Sequence, residues 1–115
     1  MSRLDDTFTA LADPTRRAVV DLLRKKPRRA GELSTALSMS PPAMSRHLRV
    51  LRTIGLVDEE GVDGDARVRM YTLRRDRFVE MRAWLDDVES FWGDQLSAFK
   101  AHAERTRGAR GGRPQ

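Results

Sequence analysis

The stretch SMSPPAMSRHLRVLRTIGL, residues 38–56, constrains this chain more than any other because it contains a helix punctuated at both ends. Ser40 reads as an N-cap, since its hydroxyl can accept from the unpaired N–H groups of a first turn. Pro41 follows at the first helical position, where its missing N–H had no intrahelical partner to lose. Met39 and Met44 fall at the two positions that pack together across a helix start. Gly55 supplies a left-handed stop, and Leu51 and Leu56 stand where a Schellman ending places its apolar pair. Between these ends Met44, Leu48 and Leu51 recur at i, i+4 and i+7 and predict one buried face. Pro42, Ser45, Arg46 and Arg49 fall on the opposite side.

The rest of the chain is built around that helix. Leu4, Phe8, Leu11 and Ala12 predict a short first helix with one apolar face. Asp13-Pro14 repeats the pattern of a capping residue before an N1 proline and starts a second helix, expected from Pro14 to about Lys26 with Val19, Leu22 and Leu23 inward. Pro27 blocks its continuation. A third helix, about Gly31 to Leu37, turns its Leu33 and Leu37 inward and has a weak N-cap, because neither Arg29 nor Ala30 caps well. Residues 56–60 and 67–73 have strand character, and Gly61 to Asp65 between them predicts a β-hairpin. Asp76 is expected to cap a long last helix in which Phe78, Met81, Leu85, Val88, Trp92, Leu96 and Phe99 step by three and four. Trp84 and Phe91 widen that stripe. The expected fold is mainly α with a small β-hairpin, four helices before the hairpin and one after. The expected division is one domain over residues 1–103 and a disordered basic tail over residues 104–115.

Charge placement selects the partner. Residues 14–54 carry ten Lys or Arg against Asp21 and Glu32, a local net of +8, whereas residues 78–95 carry five acids against Arg82, a net of −4. The positive field therefore belongs to the second to fourth helices. Their apolar faces are needed for a core, so a polyanion in solution fits better than a membrane surface, which would favour one broad amphipathic helix. No run approaches a membrane span, and MSRLDDTFTA lacks the apolar core of a signal peptide, so a cytoplasmic protein is expected. The chain has no Cys, which removes disulfides, zinc-thiolate sites and a thiol nucleophile. Its two histidines stand 55 residues apart, no Gly-rich phosphate loop is present, and Asp86, Asp87 and Glu89 diverge around a helix. No enzyme and no cofactor is expected.

The third and fourth helices, joined through Ser38-Met39, read as a helix-turn-helix whose second helix enters a major groove. Ser45 and Arg46 are the candidate base readers, Arg gripping guanine O6 and N7 with two bonds. Ser40, Pro42 and Arg49 extend that face, and Arg16 and Arg17 are candidates for phosphate contacts. Arg67 and Arg69 on the hairpin are candidates for the wing, although Asp58, Glu59, Glu60, Asp63 and Asp65 surround them and would repel phosphate. His47 lies off the centre of the reading face and suits a bond within the domain better than one to DNA.

LADPTRRAVVDLLR, GELSTALSMSPPAMSRHLRVLRTIGLVDEE and RVRMYTL together resemble the ArsR-type (ArsR/SmtB) winged helix-turn-helix transcriptional regulators, over about Phe8 to Leu73. The resemblance implies a homodimer joined through its first and last helices, wings flanking double-stranded DNA, and repression of an operon that usually includes the regulator's own gene. Leu4, Phe8, Trp84, Val88, Phe91 and Trp92 are the expected interface residues, and a two-fold dimer implies an imperfect palindromic operator. The metal-sensing relatives carry thiolates in the third helix, where this chain has only Glu32, or an Asp-x-His with a further His-x-x-His or Glu in the last helix. Here the nearest match is Asp87-x-Glu89 followed by Lys100 and Ala103. The chain therefore resembles the metal-independent branch. The alternatives are a repressor that answers a metal or small ligand at the last helix, where His102 and Glu104 stand, and a protein-interaction module without specific DNA binding.

Overall fold

The computed structural model describes residues 2–62 and 64–109. Over these residues the elements are α1 (Arg3–Leu11), α2 (Pro14–Leu23), α3 (Ala30–Ala36), α4 (Pro41–Ile54), β1 (Val57–Val62), β2 (Asp65–Leu73) and α5 (Asp76–Ala109). The chain divides into two compact units, residues 1–81 and residues 82–115. The first unit holds α1 to α4, the hairpin and the first turns of α5.

Local chemistry explains the helix ends. Ser2 caps α1 by accepting from the Asp5 N–H at 3.1 Å. Asp13 caps α2, one carboxylate oxygen accepting from the N–H groups of Thr15 at 2.8 Å and Arg16 at 3.1 Å. These bonds, that to Arg16 foremost, hold the Asp13 carboxyl below its ordinary range. Helix α2 stops at Leu23, earlier than Lys26: the Lys25 N–H bonds to the Leu22 carbonyl three residues back, and Lys26, directly before Pro27, is disfavoured in helical geometry. The weak start expected for α3 is relieved by Glu32, whose carboxylate accepts from the Arg29 N–H at 3.0 Å. The turn after α3 places Ser38 at φ 52°, and the Met39 N–H bonds back to the Ser34 carbonyl at 2.9 Å.

Helix α4 forms with the expected ends. Ser40 accepts from the Ala43 N–H at 3.3 Å. Gly55 sits at φ 92°, the Leu56 N–H reaches the Leu51 carbonyl at 2.9 Å, and the Gly55 N–H reaches that of Arg52 at 3.1 Å. This is the Schellman pattern, and both of its leucines are fully buried. A side chain the sequence did not suggest joins this end: Arg77 donates from Nε to the Ile54 carbonyl at 3.2 Å.

The core of the first unit is Ala10, Val19, Leu23, Leu33, Met44, Leu48, Leu51, Leu56 and Val57, with Leu11, Leu22, Leu37, Met39, Tyr71, Leu73 and Phe78 packed around it. One face differs from expectation. Helix α1 buries Thr7 and Ala10, whereas Leu4 is half-buried and Phe8 exposed. The buried Thr7 hydroxyl is satisfied by donating to the Arg3 carbonyl at 2.9 Å, so a polar residue can take the inner position without an unpaired group.

The hairpin pairs β1 and β2 antiparallel, from Val57 opposite Leu73 to Gly61 opposite Arg69, and then slips so that Val62 faces Asp65. Residues 66–68 are therefore extra on β2, a bulge that changes where neighbouring side chains point. The expected loop over Gly61 to Asp65 is shorter in the structure, since Gly61, Val62 and Asp65 pair; Asp63 lies outside the described residues. A further connection was not expected. Arg28, in the segment between α2 and α3, forms an isolated antiparallel bridge with Tyr71 through N–H to carbonyl bonds of 2.8 and 3.2 Å. The wing is thereby bonded to the chain just before α3.

Two expectations about α5 change. The Val79 N–H bonds to the Arg75 carbonyl, so Asp76 is a first-turn residue rather than the cap. The helix also continues through Ala109, so residues 104–109, expected in a disordered tail, are helical. Residues 110–115 lie outside those described. In the second unit Trp84, Leu85, Phe91, Trp92, Leu96 and Phe99 are all exposed, Trp92 at 59% and Phe99 at 74%. The Phe91 and Trp92 rings meet edge to face at 6.1 Å.

Candidate nucleic-acid interface

The site is built on α4. Met44, Leu48 and Leu51, at 0%, 2% and 0% exposure, anchor one side of the helix in the core. That burial fixes the rotation of the helix and leaves Pro42, Ser45, Arg46 and Arg49 exposed together on the other. Arg46 folds back along its own helix, Nε donating to the Pro42 carbonyl at 3.3 Å. Ser40 uses its oxygen as the cap, which leaves the hydroxyl proton as a donor at the helix start. Helix α3 packs against α4 to complete a helix-turn-helix.

The other candidates divide by what holds them. Arg16 is half-buried and binds within the protein: Nε donates to the Ala10 carbonyl at 2.7 Å, and Nη1 lies 3.3 Å from His47 Nδ1. One guanidinium thus links the end of α1, the start of α2 and the recognition helix. His47 has the bond within the domain that its position suggested. Arg17 is exposed and donates from Nη1 to the carbonyls of Leu11 at 2.7 Å and Ala12 at 3.1 Å. Both arginines thus satisfy backbone carbonyls at the end of α1.

On the wing, Arg67 and Arg69 are both exposed. The acids around them are not a repulsive fringe throughout, because Glu59 bonds to Arg52 and lies 3.4 Å from Arg69, while Asp58 lies 3.6 Å from Arg74. Tyr71 completes the Glu59 cluster, and burial, with the Glu59 charge next, raises its phenol pKa. Neither this cluster nor the Arg77 cap was identified from the sequence. The alternation of Arg67, Arg69 and Tyr71 along β2 was the available signal for the first. Among the described residues no three His, Asp or Glu side chains are placed to hold a metal ion, and no helix is long and apolar enough to cross a membrane.

Comparison with known proteins gives the arrangement a family. Residues 13–59 match the profile of the bacterial regulatory proteins of the arsR family, a segment that runs from the α2 cap into β1. The HTH-type transcriptional regulator Rv2034 of Mycobacterium tuberculosis is 39% identical over 95 residues, 83% of each chain. The transcriptional repressor SdpR of Bacillus subtilis is 32% identical over 56 residues, 49% of this chain and 62% of its own. Among solved structures, an ArsR-like transcriptional regulator from Rhodococcus sp. RHA1 superimposes with a TM-score of 0.72 at 29% identity, covering 88% of this chain and 92% of that one. With an exposed recognition helix on a buried apolar anchor, a wing bonded to the segment before α3, and a relative matched over most of both chains, this chain belongs to the ArsR family of DNA-binding, winged helix-turn-helix transcriptional regulators.

Proposed function

We propose that the protein is a homodimeric repressor that binds an imperfect palindrome in double-stranded DNA and acts in the cytoplasm without a metal ion. The observation that carries the reading is α4, with its core side fully buried and Pro42, Ser45, Arg46 and Arg49 presented on one exposed face. Ser45 and Arg46 read base edges. Ser40, Arg49 and the wing arginines Arg67 and Arg69 bind phosphates and fix the register. Arg16 and Arg17 hold the end of α1, and the exposed Arg17 keeps further guanidinium donors for a phosphate. Leu4 and Phe8 of α1, with Trp84, Val88, Phe91 and Trp92 of α5, form the subunit contact. Independence from metal is supported by the absence of Cys from the whole chain, since soft ions are held by thiolate or imidazole.

The test is fluorescence anisotropy of a labelled operator selected from random duplexes. Arg46→Ala costs about 1–3 kcal/mol on the selected operator and relaxes preference at one base pair per half-site. Arg49→Ala weakens all sequences alike, because a phosphate contact carries no base information. Equal binding of every duplex by wild type and Arg46→Ala overturns the reading.

A further inference from the structure

A cleft of about 390 Å³ lies between the wing and the start of α3, lined by Arg29, Ala30, Gly31, Glu59, Arg67, Val68, Arg69 and Tyr71. Its size falls in the range of small-ligand pockets. Among the described residues the lining holds the guanidinium groups of Arg29, Arg67 and Arg69 and the carboxylate of Glu59. Glu59 is already bonded to Arg52 and Arg69, which lowers the repulsion an incoming anion meets. Arg69 engages Glu59 through Nε, and a guanidinium has five N–H donors, so it can serve a second acceptor.

The walls are held in place by backbone bonds. The Arg28–Tyr71 bridge fastens β2 to the segment that leads into Arg29. The bulge over residues 66–68 brings both Arg67 and Val68 to the lining. Among the described residues, nothing beyond the α3 backbone and the chain neighbours of Gly31 lies within 4 Å of where a Cβ on Gly31 would stand, so the α3 side of the cleft is open. Ala30, Val68 and the ring of Tyr71 add apolar surface beside the guanidinium groups.

We propose that this cleft binds a small metabolite through its phosphate group, whose oxygens suit the forked donors of guanidinium groups, with the apolar lining receiving the organic part. Arg67 and Arg69 are also the wing residues assigned to DNA above, so metabolite and operator compete for them and binding releases the protein from DNA. This last step rests on the DNA-binding reading; occupancy of the cleft does not.

The probe is ribose 5-phosphate, with ribose and sodium chloride at matched ionic strength as controls, titrated into the full-length, isotope-labelled protein without DNA. Saturable amide shifts are expected at Arg29 to Gly31 and Arg67 to Tyr71 with ribose 5-phosphate only. Arg29→Gln weakens that binding roughly fivefold or more, as loss of a charge-assisted bond requires, and keeps the backbone N–H that Glu32 uses. With operator present, ribose 5-phosphate raises the apparent Kd for wild type and has less effect on Arg29→Gln. Shifts reproduced by sodium chloride, or binding unchanged in Arg29→Gln, overturn the proposal. If operator DNA shifts these amides and ribose 5-phosphate does not, the cleft belongs to the DNA backbone and the proposal fails. If no duplex binds, the function proposed above fails, and the titration without DNA still decides the occupant of the cleft.

Discussion

At the residue scale, Arg16 of α2 and Arg49 of α4 separate support from contact. Arg16 satisfies the Ala10 carbonyl and reaches His47 with one planar group, which the point charge of a lysine does not reproduce. Arg16→Lys is therefore expected to lower unfolding free energy by roughly 1.5–3 kcal/mol, the value of a charge-assisted bond. It leaves the slope of log affinity against log salt unchanged. Arg49→Ala does the reverse, keeping stability and reducing that slope by about 0.9, one phosphate's share of released counterions. Denaturant melts and anisotropy at several salt concentrations measure both quantities. A reduced slope for Arg16→Ala, which removes the charge, would instead make Arg16 a phosphate contact. Asp13 gives a pH signature. Its folded pKa lies below 3.8 because the Arg16 and Thr15 N–H groups stabilise the carboxylate. A depressed carboxyl contributes stability that is present above the unfolded pKa and lost as pH falls through the folded value. Asp13→Ala is expected to cost about 1 kcal/mol at neutral pH, and the difference from wild type shrinks as pH drops below 3.8. A difference constant down to the most acid measurable pH would assign the loss to something other than the cap.

At the scale of elements, the two turns that frame α4 make the same demand, met by different residues. Gly55 stands at φ 92° and Ser38 at φ 52°. An L side chain in left-handed geometry costs about 1–2 kcal/mol, so Gly55→Ala destabilises by about that amount. Space does not decide it, because an added Cβ meets only the Arg77 side chain, at 3.5 Å. Ser38→Gly relieves the same strain and is offset in part by greater freedom of the unfolded chain, for a net gain of roughly 0.5–1 kcal/mol. Urea melts of the two variants should move in opposite directions, and a matching loss in Ser38→Gly would contradict the argument. These turns also mark what the sequence made legible. The ends of α4, its buried face and the Schellman pair could be read because capping is decided within five or six residues. Which face of α1 turns inward could not, because Thr7 qualifies only through its bond to the Arg3 carbonyl. The Arg28–Tyr71 bridge joins residues 43 positions apart through one pair, too short for any pattern. The Glu59 cluster was hidden for a related reason: a run of acids beside arginines looks repulsive until the register sets Glu59 directly opposite Tyr71. The length of α5 escaped notice because its last turns carry charged helix formers and few apolar residues, which periodicity does not register.

At the scale of the whole molecule, the dimer turns on how much apolar surface the second unit leaves exposed. Trp84, Leu85, Phe91, Trp92, Leu96 and Phe99 are all exposed on α5 in one chain, and Phe8 is exposed on α1. Aromatic groups in that number are more than the scattered exposed hydrophobics of an ordinary monomer surface and mark an interaction site. A second copy is the economical occupant, since a two-fold axis lets one patch cover itself. In the proposed dimer, two recognition helices related by that axis are expected to meet successive major grooves, with half-site centres about 34–36 Å apart. Trp92→Asp places a carboxylate at the contact, and an unpaired buried charge costs several kcal/mol. Trp92 lies on the second unit, outside the core of the first, so the melting of the helix-turn-helix should persist while association is lost. Sedimentation at micromolar concentration is expected to give a dimer for wild type and a 13.1 kDa monomer for Trp92→Asp. Phe8→Asp, on α1, should also lower operator affinity by weakening the dimer. With only one half-site engaged, each monomeric variant should bind a full palindrome no better than a single half-site, while keeping the base preference set by Arg46. A wild type that sediments as a monomer at those concentrations and still prefers the full palindrome would show that the exposed aromatics of α5 serve some other partner.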